Sequence, residues 1–112
     1  MIVINYLNFK KESNGSQPLL LFFTNEDEAC RPLAMMLAEL EPRFLGKLTF
    51  GKVNVKVFAR LAMQNDVQAP ALLLFYKGVK LDIIPGNLPK KMLLARLESD
   101  ADQAYATQVQ KW

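Results

Sequence analysis

Two hydrophobic periods alternate along this chain. Residues 2–6 form a short apolar run and read as a strand. Residues 7–13 read as a short helix, closed by the breakers Asn14-Gly15-Ser16. Leu19-Leu20-Leu21-Phe22-Phe23 is then continuously apolar between Pro18 and the polar Thr24-Asn25. A run that short, with no alternation, suits a central strand buried on both faces. The period changes next: Leu33, Leu37, Leu40 and Phe44 recur at helical spacing with Met36 on their stripe, while Glu39 and Arg43 fall off it. Asp27 is placed to cap this helix, and Glu28 suits its positive end. Gly46 reads as its stop. Pro32 and Pro42 lie inside the pattern and predict an irregular first turn and a loosened last one.

The second half repeats the theme. Residues 48–55 read as a strand through Phe50, Val53 and Val55, and residues 58–65 as a helix through Phe58, Leu61 and Ala62. Residues 71–76 are a strongly apolar strand, Lys77-Gly78 a tight turn, and residues 79–84 the returning strand of a hairpin. After Pro85-Gly86 a last helix starts near Leu88-Pro89. Its apolar stripe runs through Leu93, Leu97, Ala101, Tyr105, Val109 and Trp112. That tail either packs back on its own sheet or presents Tyr105 and Trp112 as a partner surface, since aromatics are favoured anchors. The order β-α-β-α-β-α-β-β-α predicts an α/β protein: one mixed sheet, helices on both faces, and a terminal antiparallel hairpin. Residues 1–112 read as a single domain, with 98–112 as a C-terminal helical extension.

Composition removes many functions. With 112 residues, 51% hydrophobic and 22% charged, the chain can build one core. Its net charge of +3 is mild, and no Lys/Arg block is interleaved with aromatics. Lys10-Lys11 and Lys90-Lys91 read as solvated faces, so no nucleic-acid partner is expected. There is no histidine, which excludes Ser/His/Asp and Cys/His catalysis and the commonest metal ligand. The single cysteine, Cys30, forms no internal disulfide and is a poor basis for zinc. No metal and no cofactor is expected. The start, Met1-Ile2-Val3-Ile4-Asn5-Tyr6, lacks a basic stretch and a small-residue cleavage site. No apolar run approaches the ~20 residues of a membrane span. A cytoplasmic protein without membrane attachment is the expectation.

Four blocks, in order and correctly spaced, resemble the thioredoxin family. Residues 18–34, Pro-Leu-Leu-Leu-Phe-Phe-Thr-Asn-Glu-Asp-Glu-Ala-Cys-Arg-Pro-Leu-Ala, resemble its strand, W-C-G-P-C motif and following helix. Gly46-Lys47-Leu48-Thr49 with Lys52-Val53-Asn54-Val55 resembles its next strand. Residues 69–78 look like its cis-proline strand and hairpin turn, and Ile84-Pro85-Gly86-Asn87-Leu88 like its last strand-to-helix turn. The resemblance reaches about Leu97 and implies a thioredoxin fold with an extended C-terminal helix.

The ungapped register puts Cys30 on the family's second, resolving cysteine and Asp27 on the attacking one. Glu26 then replaces the tryptophan before the motif, Ala29 replaces its proline, and Leu21 replaces the buried carboxylate used for proton transfer. A second register reads Cys30-Arg31-Pro32-Leu33 as C-x-P-x with Cys30 attacking. It keeps the proline but needs a two-residue insertion and a matching deletion, so the ungapped register is preferred.

Thiol–disulfide exchange requires a thiolate. Glu26, Asp27 and Glu28 flank Cys30, and nearby carboxylates disfavour a second anion, so a neutral, poorly reactive thiol is expected. Cys30 then reads as a small half-buried hydrophobe; the alternative is a slow monothiol that forms mixed disulfides and serves cell redox homeostasis. The resemblance implies that Ala69 and Pro70 lie beside the degenerate motif Asp27-Glu28-Ala29-Cys30. With Glu26 they would form a groove that holds an extended peptide by main-chain bonds and needs no cysteine. The expected function is therefore protein or peptide binding, as an assembly or chaperone-like module without dithiol catalysis. The monothiol oxidoreductase is the alternative, and oligomerisation through the last helix is a third reading. A monomer or weak oligomer is expected. Phe22, Phe23, Phe50 and Phe75, with Met35 and Met36, read as core.

Overall fold

A computed structural model describes residues 1–109 of the chain. Five strands form one sheet: β1 (Ile2–Val3), β2 (Leu19–Thr24), β3 (Thr49–Asn54), β4 (Ala71–Tyr76) and β5 (Val79–Ile84). Their spatial order is β1-β3-β2-β4-β5. β3 runs parallel to both β1 and β2, while β4 is antiparallel to β2 and β5 antiparallel to β4. Four α-helices connect and cover the sheet: α1 (Phe9–Ser13), α2 (Arg31–Leu40), α3 (Ala59–Gln64) and α4 (Lys90–Val109).

The central strand explains the rest. All six residues of β2 are buried, as its unbroken apolar run requires. Alternate side chains enter two different layers. Leu20 and Phe22 join Phe50, Leu72, Leu74 and Ile84 beneath α2 and α4, which contribute Leu33, Leu37, Leu40, Leu93, Leu97 and Ala101. Leu19, Leu21 and Phe23 join Val53, Leu73 and Phe75 on the other face, covered by Leu61 and Ala62 of α3 and by Phe9 of α1. A buried Leu or Phe stabilises by about 1.5–3 kcal/mol, so β2 is the strand least able to accept a polar side chain.

Several boundaries differ from the sequence expectation, each for a local reason. β1 stops at Val3, although the Ile4 amide still donates to Lys52 O at 2.7 Å. Beyond it Asn5 Oδ1 accepts from the Leu7 and Asn8 amides, while Asn8 Oδ1 accepts from the Asn5 amide. This side-chain turn outcompetes the ladder and delays α1 to Phe9. Pro32 falls in the first turn of α2, where a missing N–H costs nothing. Pro42 falls in a single 3-10 turn, Glu41–Phe44, that ends the helical stretch after Leu40. Gly46 takes φ +79° and releases the chain toward β3. Lys77 and Gly78 both have positive φ, as a two-residue hairpin turn demands. The four phenylalanines are core, as is part of Met36, but Met35 is 60% exposed: it lies off the inward stripe of Leu33, Leu37 and Leu40.

Candidate functional site

The junction between β2 and α2 is built from consecutive side-chain-to-amide bonds. Thr24 Oγ1 accepts from the Glu26 amide at 2.9 Å, Asn25 Oδ1 from the Asp27 amide at 3.1 Å, and Asp27 Oδ1 from the Ala29 amide at 3.0 Å. Each bond spans two residues, so the polar run Thr-Asn-Glu-Asp folds on itself before any helix exists. Glu26 occupies the left-handed region at φ +63°, which a non-glycine residue adopts only under such constraint. Asp27 is an N-cap as expected, but of a 3-10 turn, Glu28–Cys30, rather than of α2 itself. Pro32, without an amide hydrogen, sits where α2 begins, and the extra turn carries the chain there.

Cys30 ends that turn pointing inward. Its exposure is 1%, against the half-burial expected from the sequence. It packs with Phe22, Leu33 and Leu37 in the layer under α2 and α4. The thiol donates to Asn25 Oδ1 at 3.1 Å. The same oxygen takes the Asp27 amide, which fixes the orientation of the Asn25 amide group. The sulfur therefore faces a carbonyl oxygen, an arrangement that satisfies a thiol and offers nothing to a thiolate. Asn25 was not singled out by sequence reasoning; a polar residue two positions before a capping aspartate was the available signal. Leu21, which the ungapped register sets against the family's proton-transfer carboxylate, is fully buried in the opposite layer.

Beside this turn lies an open pocket of about 440 Å³. Glu26, Asp27, Cys30 and Arg31 line one wall, and Met1, Phe22, Thr24, Ala34, Ala38 and Lys52 the rest. Its charges are mixed: Lys52 Nζ stands 3.9 Å from Glu26, and the Met1 ammonium 2.7 Å from Glu41. The pocket leans toward β3, whereas Ala69 and Pro70 precede β4 on the other side of β2. The Ala69 to Pro70 peptide is cis. Ala69 packs against the same core layer as Cys30, and Gly86 lies so close to the Pro70 carbonyl that a Cβ there would sit 3.0 Å from it. Of the residues selected from the sequence, the pocket gathers only Glu26, Asp27 and Cys30 and does not include Ala69 or Pro70. Among the described residues no three His, Cys, Asp or Glu side chains come together to hold a metal.

A second polar cluster lies where α4 crosses β5, outside any motif. Arg96 donates to both Asp82 oxygens, at 2.9 and 2.7 Å, and to Ile83 O at 3.1 Å. Burial pushes the Asp82 carboxyl up, but the Arg96 hydrogen bonds and charge outweigh it and hold it below its ordinary value. Arg96 is correspondingly raised by its bond to Asp82. Burial, together with Asp82 alongside, pushes Asp100 up to about 7. Asp82 shares a strand face with the buried Ile84, and an acidic residue on an apolar face was the overlooked signal.

The α4 tail packs on its own body. Ala101 and Ala104 are buried, the Tyr105 ring lies 6.4 Å from that of Tyr76, and the Tyr105 hydroxyl donates to Lys47 O at 2.7 Å. Burial, then Tyr76, raises that hydroxyl above its ordinary range. Of the two aromatics considered for a partner surface, Tyr105 is engaged internally and Trp112 lies outside the described residues. No described helix is long and apolar enough to cross a membrane.

The thioredoxin family model matches residues 1–99. Thioredoxin 1 of Nostoc sp. (strain PCC 7120 / SAG 25.82 / UTEX 2576) is 33% identical over 93 residues, covering 80% of this chain and 87% of that protein. The thioredoxin of Synechocystis sp. (strain ATCC 27184 / PCC 6803 / Kazusa) is 30% identical over 94 residues, covering 81% and 88%. That of Griffithsia pacifica is 30% identical over 87 residues, covering 76% and 80%. With its mixed sheet, its two helical layers and this match over most of its length, the chain belongs to the thioredoxin family.

Proposed function

We propose that this thioredoxin-like protein has given up dithiol redox catalysis and acts as a protein- or peptide-binding module, of the assembly or chaperone-like kind. One observation carries the reading. Asp27, which the ungapped register sets against the attacking thiol, has its carboxylate bound to the Ala29 amide, and the sole cysteine is buried with its S–H on Asn25. Dithiol exchange needs an accessible thiolate and a second thiol within reach, and neither is provided. Binding needs neither: the groove proposed here uses Glu26, Asp27 and Arg31 on one side of Cys30 and Ala69 with Pro70 on the other, and takes an extended segment by main-chain bonds. The module works in the cytoplasm as a monomer or weak oligomer.

Two measurements test this. The purified protein is expected to leave insulin disulfides intact in the presence of a dithiol reductant. Cys30→Ser is expected to capture the same cellular proteins as the native chain, while Glu26→Arg with Pro70→Ala loses them. Loss of capture in a folded Cys30→Ser protein would support a monothiol oxidoreductase instead.

A further inference from the structure

Two carboxylates and one guanidinium meet at the crossing of α4 and the edge strand β5. Arg96 is committed to Asp82 by two hydrogen bonds and to the Ile83 carbonyl by a third. Asp100, one helical turn farther along α4, faces the same Asp82. Its Oδ2 is shut off from solvent, and no donor among the described residues reaches it. An ionised carboxylate in that setting is left unsatisfied, which is unfavourable. A proton held between Asp82 and Asp100 satisfies it, because one oxygen then donates to the other. The charged group facing the pair is Arg96 from α4. From β4 the nearest titratable group on this face is Tyr76, which lies against Tyr105. The other buried positions of α4 among the described residues are the apolar Leu93, Leu97, Ala101 and Ala104.

We propose that Asp82, Arg96 and Asp100 form a proton-dependent clasp that holds the last turns of α4 against β5, closed while the two carboxylates share a proton and loosened when that proton is lost to solvent. The clasp stands at the boundary of the family match, which ends at residue 99. The segment it controls is thus the C-terminal extension, with Ala101, Ala104 and Tyr105 packed on the body beneath it. Loosening it uncovers that apolar strip and the Tyr76 ring without unfolding the sheet. The device is independent of the groove around Cys30.

The test is a carbon-detected NMR titration of the carboxyl groups, together with amide exchange at residues 101–106. Asp100 is expected to titrate near neutrality. Protection of those amides, corrected for intrinsic exchange, should fall about tenfold between pH 6 and pH 8, because only the loosened state ionises freely. Asp100→Asn should make the protection independent of pH across that range. Asp82→Asn should return the Asp100 midpoint toward that of an ordinary carboxylate. The clasp is refuted if native Asp100 titrates with the exposed carboxylates, or if protection stays constant from pH 6 to pH 8. Should Asp100→Asn fail to fold, the native titration and Asp82→Asn decide the question.

Discussion

The 27–30 turn and the α4 crossing of β5 both concentrate acidic side chains, yet they handle them in opposite ways. In the turn, Asp27 is exposed and directed at a backbone amide, so its charge helps to start a helix. At the crossing, Asp82 of β5 and Asp100 of α4 come beside one another, and the one guanidinium there gives its hydrogen bonds to Asp82. On the proposed register the turn stands where the family has its dithiol motif, and it carries local hydrogen bonding. The crossing occupies no motif and carries the two-bond Arg96–Asp82 pair with Asp100 alongside. Burial decides which carboxylates become sensitive to pH.

The largest expected change tests the first half of this contrast. Asp27→Cys restores two thiols at the family's spacing and should raise insulin reduction about tenfold or more over the native protein. If it stays inert, the loss extends beyond the missing nucleophile to Asn25, Glu26 and Leu21. Next comes Arg96→Ala, which leaves two facing carboxylates without a cation. A fully buried case would cost several kcal/mol; with Arg96 at 39% exposure, about 1–2 kcal/mol is expected in urea denaturation, and more above pH 7 than below it.

The pH dependence follows from the sign of each shift. The folded value of Asp100 is raised to about 7 from 3.8, so between those values the folded state holds the extra proton, and stability falls as pH rises through that window. Asp82 is shifted the other way, so its contribution is present above its ordinary value and is lost in acid. After discounting for solvent, the native protein should lose about 1 kcal/mol relative to Asp100→Asn between pH 4 and pH 8, read from paired denaturation curves. The smallest effect belongs to the turn. Asp27→Ala removes one capping bond and should cost about 0.5–1 kcal/mol. A cost as large as that of Arg96→Ala would erase the contrast between the two regions.

The fold was readable because its signals are periodic and local. The unbroken run of β2, the helical stripe through Leu33, Leu37 and Leu40, and the Lys77-Gly78 turn each report a burial pattern or a backbone requirement that acts over a few residues. Asp27 as a cap was readable for the same reason. The depth of Cys30 was not, because it depends on a 3-10 turn that rotates the chain before α2 begins. Met35 was misassigned because helix phase, rather than apolar character, selects the inward face.

By itself, then, the sequence determined the α/β order, the two-sided burial of β2, and a single cysteine, Cys30, three residues after Asp27. Tertiary structure decided what the polar groups do. Asn25 meets Cys30 because a run of side-chain-to-amide bonds curls one turn. Asp82 meets Asp100 because α4 lies across β5. Propensity and periodicity act along the chain, whereas the shift of an ionisable group is set by whatever distant residues the fold brings to surround it.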